Sequence, residues 1–103
     1  MNNLEKLDEI VSIEIESLEN RKWYKYEFNG KKYKLYLDSK GYRILSEDKK
    51  EQAFLRKTST NSFIYRNKNK TAIGYFDTDD NLILETYNPK TDIVSYEKYN
   101  VSN

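Results

Sequence analysis

At 103 residues, without cysteine or histidine, the chain has room for one core. It lacks the thiols of disulfides and zinc sites and the imidazole that most often serves as general base or metal ligand. A formal net charge of +1 conceals three blocks: six acids against one Lys in residues 1–20, a net +10 over 21–76, and six acids against two Lys from 77 to 103. Histidine and cysteine chemistry is thereby excluded, and a charged binding surface of either sign is favoured.

The opening MNNLEKLDE has no basic n-region followed by an apolar h-region, and no run approaches the ~20 apolar residues of a membrane helix. The expectation is one domain over residues 1–103, cytoplasmic in a bacterial host. From Asn3 to Asn20, Leu4, Leu7, Ile10, Val11, Ile15 and Leu18 share one stripe at helical spacing, with Ile13 opposite. This predicts an amphipathic helix over about 3–20. The competing reading is a strand, because VSIEIE alternates cleanly and its β-branched residues suit a pleated surface.

WYKYEF, Asn29-Gly30 and KKYKLYLD follow. Asn-Gly between alternating runs marks a two-residue type I′ hairpin, whose turn needs positive φ at both central positions. The register then pairs Phe28 with Lys31 through to Trp23 with Tyr36. Tyr24, Tyr26, Phe28, Tyr33, Leu35 and Leu37 fall on the core face, and Trp23, Lys25, Glu27, Lys32, Lys34 and Tyr36 on the other. Asp38-Ser39-Lys40-Gly41 reads as a tight turn into a strand over Tyr42 to Leu45. Ser46 caps a short helix over about 48–56, unless AFLRK is an edge strand. FIYR, TAIGYFD, NLILETY and DIVSYEKY read as further strands, separated by the turns NKNK, TDDN and Asn88-Pro89-Lys90-Thr91. Fifteen per cent of the chain is aromatic, which favours strands, although AT-rich codon usage equally accounts for the ten tyrosines.

The fold class expected is therefore α+β, with the N-terminal amphipathic helix packed on an antiparallel β-meander of about six or seven strands over about 22–99, one edge left open. A weak echo runs at an offset of 39, where Tyr26, Lys31, Tyr36, Asp38, Ile44 and Leu45 recur as Tyr65, Lys70, Tyr75, Asp77, Ile83 and Leu84. Duplication and convergence of similar hairpins explain it equally well.

Two surfaces are candidates for binding. On the outward hairpin face, Trp23 and Tyr36 stand beside Lys25, Lys32 and Lys34, with Arg43 on the next strand. Aromatic planes among cations suit single-stranded nucleic acid or an acidic protein surface. An ordinary solvated sheet face carries the same residue types. On the helix, Glu5, Asp8, Glu9, Glu16 and Glu19 form an acidic side suited to a basic groove, or simply the solvated face of an amphipathic helix. Asp77-Thr78-Asp79-Asp80-Asn81 begins like a calcium loop but has Leu82 where that loop needs Gly and Asn88 where it needs Glu, so a turn is the better reading.

No catalytic residue, metal site or cofactor is expected. In size, single-domain economy and charge blocks the chain resembles small accessory proteins of phages and mobile elements, such as anti-CRISPR inhibitors of defence nucleases. The resemblance rests on no particular residue. It implies a non-enzymatic module that occludes a charged surface on a larger protein, monomeric or homodimeric. The alternatives are a single-stranded nucleic-acid-binding protein and a small RNase-like toxin working through Tyr, Lys and Glu.

Overall fold

Alternation of apolar and polar residues continues through nearly all of the chain after Lys22, and the computed structural model, which describes residues 22–102, resolves it into strands alone. There are eight of them: β1 (Trp23–Phe28), β2 (Lys31–Asp38), β3 (Gly41–Ser46), β4 (Gln52–Lys57), β5 (Phe63–Arg66), β6 (Thr71–Phe76), β7 (Leu82–Asn88) and β8 (Ile93–Ser102). Each pairs antiparallel with the next, and β8 returns to β1 through Tyr26 opposite Val101, so the sheet closes into an up-and-down barrel. Among the described residues there is no helix. The α+β expectation is thus overturned in favour of an all-β closed barrel. The helix expected over 3–20 lies outside the described residues.

The first hairpin forms as its sequence dictates. Asn29 and Gly30 take φ of 53° and 73°, the signs a type I′ turn requires, and the register runs from Phe28↔Lys31 to Trp23↔Tyr36. The short helix expected over 48–56 is instead β4, for two reasons. Ser46 does not cap a helix: its Oγ donates to Asp48 (2.5 Å) and accepts the Glu51 amide (2.9 Å), while Asp48 also takes the Lys50 amide (2.9 Å), which tightens residues 47–51 into a turn. Beyond that turn, Ala53 and Leu55 are buried and Phe54 and Arg56 are not, a period of two that only a strand can exploit. The sheet left open along one side is overturned as well, since β1 and β8 close on each other over Lys25–Glu27 and Asn100–Ser102, which removes the edge along that stretch.

An eight-stranded barrel leaves an interior just wide enough for side chains to fill it. Here Leu35, Leu55, Leu82 and Leu84 are fully buried at the centre, flanked by Tyr26, Tyr33, Tyr65 and Tyr99. Gly74 faces this centre, where a Cβ would stand 3.1 Å from Leu84 and 3.2 Å from Leu55, so its missing side chain is the space the leucines occupy. Gly41 holds a φ of 143°, and a Cβ there would lie 2.1 Å from the Leu55 carbonyl oxygen. That close approach lets the β2–β3 turn lie against β4. Tyr42, Phe63 and Phe76 meet edge to face at 5.5–5.7 Å and close one end of the barrel.

The 39-residue echo maps β1 and β2 onto β5 and β6. Tyr26 and Tyr65 both point inward, and Asp38 and Asp77 each accept the amide two residues on, at 2.8 and 2.9 Å. It fails in the third strand, where Ile44 belongs to the interior cluster but Ile83 sits outside it, one residue from inward Leu84. The longer turn over residues 77–81 shifts the register, and an odd shift reverses every side chain.

Candidate partner-binding surface

With the interior filled, any ligand must meet the outer wall or the barrel ends. Period-two geometry sends Trp23, Lys25, Lys32, Lys34, Tyr36 and Arg43 outward on β1–β3. The pairing assembles them in three rows: Trp23↔Tyr36↔Arg43↔Phe54↔Arg66 across five strands, Lys25↔Lys34↔Leu45↔Gln52 beside it, and Glu27↔Lys32 beyond that. The sequence-predicted set is therefore one surface. Phe54 and Arg56 extend it but were hidden by reading 48–56 as a helix, where the alternation in QAFLRK was the signal that places them, and Arg66 on β5 joins through its pairing with Phe54.

Accessibility divides this surface. Trp23 is 43% exposed, whereas Tyr36 is 4% and Arg43 9% exposed, although all three point away from the interior. The Arg43 and Arg56 guanidinium carbons each stand 4.7 Å from the Phe54 ring centre, a cation–π arrangement that favours the weakly hydrated Arg. Arg56 also donates to Asp38 at 3.0 Å. The accessible part comprises Trp23, Lys32 and the half-buried Lys25 and Lys34, with Lys34 Nζ 4.5 Å from the Trp23 ring centre. No ion pair is formed by Lys25, Lys32 or Lys34 among the described residues, even though Glu27 stands directly opposite Lys32. Three adjacent cations beside one open indole thus form no ion pair among the described residues. The acidic candidates Glu5, Asp8, Glu9, Glu16 and Glu19 lie outside the described residues.

The two barrel ends differ chemically. One holds a cleft of about 180 Å³ lined by Tyr33, Tyr65, Tyr99, Asn67, Lys70 and Glu97. There Lys70 pairs with Glu97 and Asn67 donates to the Tyr65 hydroxyl at 2.9 Å. Burial is the main cause that pushes the pKa of Tyr33, Tyr65 and Tyr99 up, with neighbouring Glu51 or Glu97 charge adding to it. A tyrosine held in this direction stays neutral near pH 7. The other end is wider, about 600 Å³, between Leu37, Tyr42, Phe63 and the Asp38–Arg56 pair. Lys57 Nζ lies 5.7 Å from the Phe63 ring centre at its rim.

In the calcium-like segment the side-chain oxygens of Asp77 and Asn81 are engaged in holding a turn. Asp77 Oδ1 accepts the Asp79 and Asn81 amides, both at 2.9 Å, Asp77 Oδ2 takes the Asn81 side-chain amide at 3.3 Å, and Asn81 Oδ1 accepts the Val101 amide at 3.0 Å. These bonds tie the β6–β7 turn to β8.

No protein-family model matches the chain, and neither a curated protein nor a solved structure is detectably similar to it.

Proposed function

We propose that this barrel is a non-enzymatic binding module that occludes an acidic surface on a larger protein, using the outer wall of β1 and β2. The observation that carries the reading is the open Trp23 indole bordered by Lys25, Lys32 and Lys34, which form no ion pair among the described residues. An aromatic anchor among cations is what a protein interface desolvates at its centre and steers with at its rim. A closed wall supports such contact because its backbone is already ordered by pairing on both sides and loses little freedom on binding. Occlusion requires no catalytic group, which accords with a chain free of histidine and cysteine. The phage-type inhibitors noted above share this economy.

Single-stranded nucleic acid is the second reading, favoured by the same cations. It is weakened by two facts: Tyr36, its intended second stacking platform, is buried, and one face of Trp23 is taken up by Lys34.

Affinity capture from lysate of the native host, with and without nuclease, tests the choice when the wild type is compared with the Lys25→Glu/Lys32→Glu/Lys34→Glu variant. The proposal expects a stoichiometric protein that survives nuclease and is lost from the variant. Capture that disappears with nuclease transfers the surface to nucleic acid. A protein retained equally by both forms removes this wall from the account.

A further inference from the structure

The narrower barrel mouth carries an acid on a face that is otherwise apolar. Glu97 stands opposite fully buried Leu84 in the β7–β8 ladder, so its side chain shares the inward face. Room for a ligand arises on β4, where the inward position beside Ile44 holds only the methyl group of Ala53. A barrel of eight strands otherwise fills its interior with side chains. The resulting cleft of about 180 Å³ is aromatic on several sides: the Tyr99 ring stacks on Phe28 at 4.6 Å and meets Tyr33 edge to face at 5.3 Å, and Tyr65 completes the lining. Its charge is distinct from that of the other end. Among the described residues it is lined by Glu51 and Glu97 against Lys70, whereas the wide mouth has Lys40, Arg56 and Lys57 against Asp38.

We propose that this cleft is a binding site for a trimethylammonium group, with Glu97 facing its charge and Tyr33, Tyr65 and Tyr99 surrounding its methyl groups. The site is independent of the Trp23 wall. The mouth already holds two ammonium groups, which sets the sign of the ligand's charge. Lys70 pairs with Glu97 while its Nζ lies 5.8 Å from the Tyr65 ring centre, and Lys31 pairs with Glu51 at the rim. An ammonium held between a carboxylate and an aromatic face is the arrangement that recognises choline and methylated lysine. Lys70 is therefore the chain's own occupant of the place the ligand would take.

Hydration favours exchanging Lys70 for such a ligand. A lysine ammonium is a compact, strongly hydrated charge on a flexible stem, and the Lys70 and Glu97 side chains are 35% and 33% exposed, so Lys70 reaches water without unfolding the wall. A trimethylammonium group spreads the same charge over methyl groups that make no strong hydrogen bond to water. Aromatic faces therefore replace its hydration at little cost. Size narrows the ligand further. A cavity of ~150 Å³ admits benzene, so a cleft of about 180 Å³ takes one trimethylammonium head and excludes a nucleotide. Because the mouth is partly open to water, binding falls in the weak class, with a dissociation constant on the order of 1 mM.

Titration of the full chain with choline chloride, followed by protein NMR against equal additions of sodium chloride, is the first test. The expected result is saturable shifts centred on Tyr33, Tyr65 and Tyr99, and much weaker binding of the uncharged analogue in which carbon replaces the nitrogen. A short peptide bearing trimethyl-lysine, titrated in parallel, distinguishes the two sources of the group by which compound binds more tightly. Glu97→Gln should weaken binding about tenfold, and Lys70→Met, which removes the internal competitor, should tighten it by about threefold. Opposite signs at two paired residues are not what a purely structural ion pair produces. An unchanged melting temperature establishes that each variant is folded, and if one is not, the other and the uncharged analogue still decide. No binding of either ammonium compound up to ~50 mM, equal binding of the uncharged analogue, a folded Glu97→Gln variant of unchanged affinity, or a folded Lys70→Met variant that binds more weakly overturns the proposal.

Discussion

The β1–β2 and β7–β8 hairpins are built from the same materials and end differently. Both alternate tyrosine and β-branched or aliphatic residues with charges, and both turn through residues at positive φ, Asn29 and Gly30 in one and Asp92 in the other. In β1–β2 the inward faces of Tyr26, Tyr33 and Leu35 are sealed by the rest of the barrel. In β7–β8 the same alternation runs past the last neighbouring strand as an arm, so Ile93, which continues the inward face of Tyr99, is left 56% exposed beside the outward Val94 and Tyr96. Alternation specifies which side chains share a face; only the neighbouring strands decide whether that face is covered.

If this contrast is correct, equal chemical changes should have unequal effects in the two regions. The largest effect is expected in the wall, where Gly41→Ala drives a Cβ to 2.1 Å from the Leu55 carbonyl at a φ of 143°. A loss on the order of 3–5 kcal/mol, near the whole stability of a small domain, should appear in urea unfolding. Leu55→Ala removes a fully buried side chain and should cost ~2–5 kcal/mol in the same assay.

Alkali should sharpen the contrast next. Burial first, and the Asp80 charge after it, push the Tyr26 pKa from 10.0 to about 12. Its neutral form is thus favoured by the folded chain. Its contribution is complete below pH 10, the value of the unfolded chain, and is lost as the pH rises through 12. Tyrosinate absorbance should therefore develop for exposed tyrosines first and for Tyr26 together with unfolding. Wholly independent titration and unfolding would contradict the burial argument. Asn29→Ala, which forces alanine into a φ of 53°, should cost about 1 kcal/mol in thermal unfolding. The smallest effect belongs to the arm, where Val94→Ala should change unfolding stability at low protein concentration by no more than ~0.5 kcal/mol.

The local part of this fold was legible in sequence. Asn-Gly gave the first hairpin its register because a two-residue turn leaves no freedom, and the segments FIYR, TAIGYFD, NLILETY and DIVSYEKY each fall on a strand, although β8 runs on past Tyr99 to Ser102, where the barrel closes. Closure was not legible, since no feature of Tyr26 or Val101 announces that they lie opposite each other across 75 residues of chain. β4 was misread because Ser46 followed by acids has the composition of a helix cap, and the choice between cap and turn rests on the Glu51 amide returning to Ser46. For the candidate site, alternation placed Trp23, Lys25, Lys32, Lys34, Tyr36 and Arg43 on one outward face. It carried no information that Tyr36 and Arg43 would be buried there. The arm was hidden for the complementary reason, because an exposed alternating strand and a covered one have the same pattern.

Amide hydrogen exchange, followed by peptide at ~1 µM and at ~1 mM, tests most directly whether missing neighbours set the arm apart from the wall. The account predicts slow exchange in β2 and at Asn100–Ser102 at both concentrations. Amides from Ile93 to Lys98 should exchange faster than those of β2 at both concentrations, because β8 has a neighbouring strand on one side only there among the described residues. Arm amides as protected as the wall in the dilute sample would show that the arm already has its neighbours, and would contradict the account.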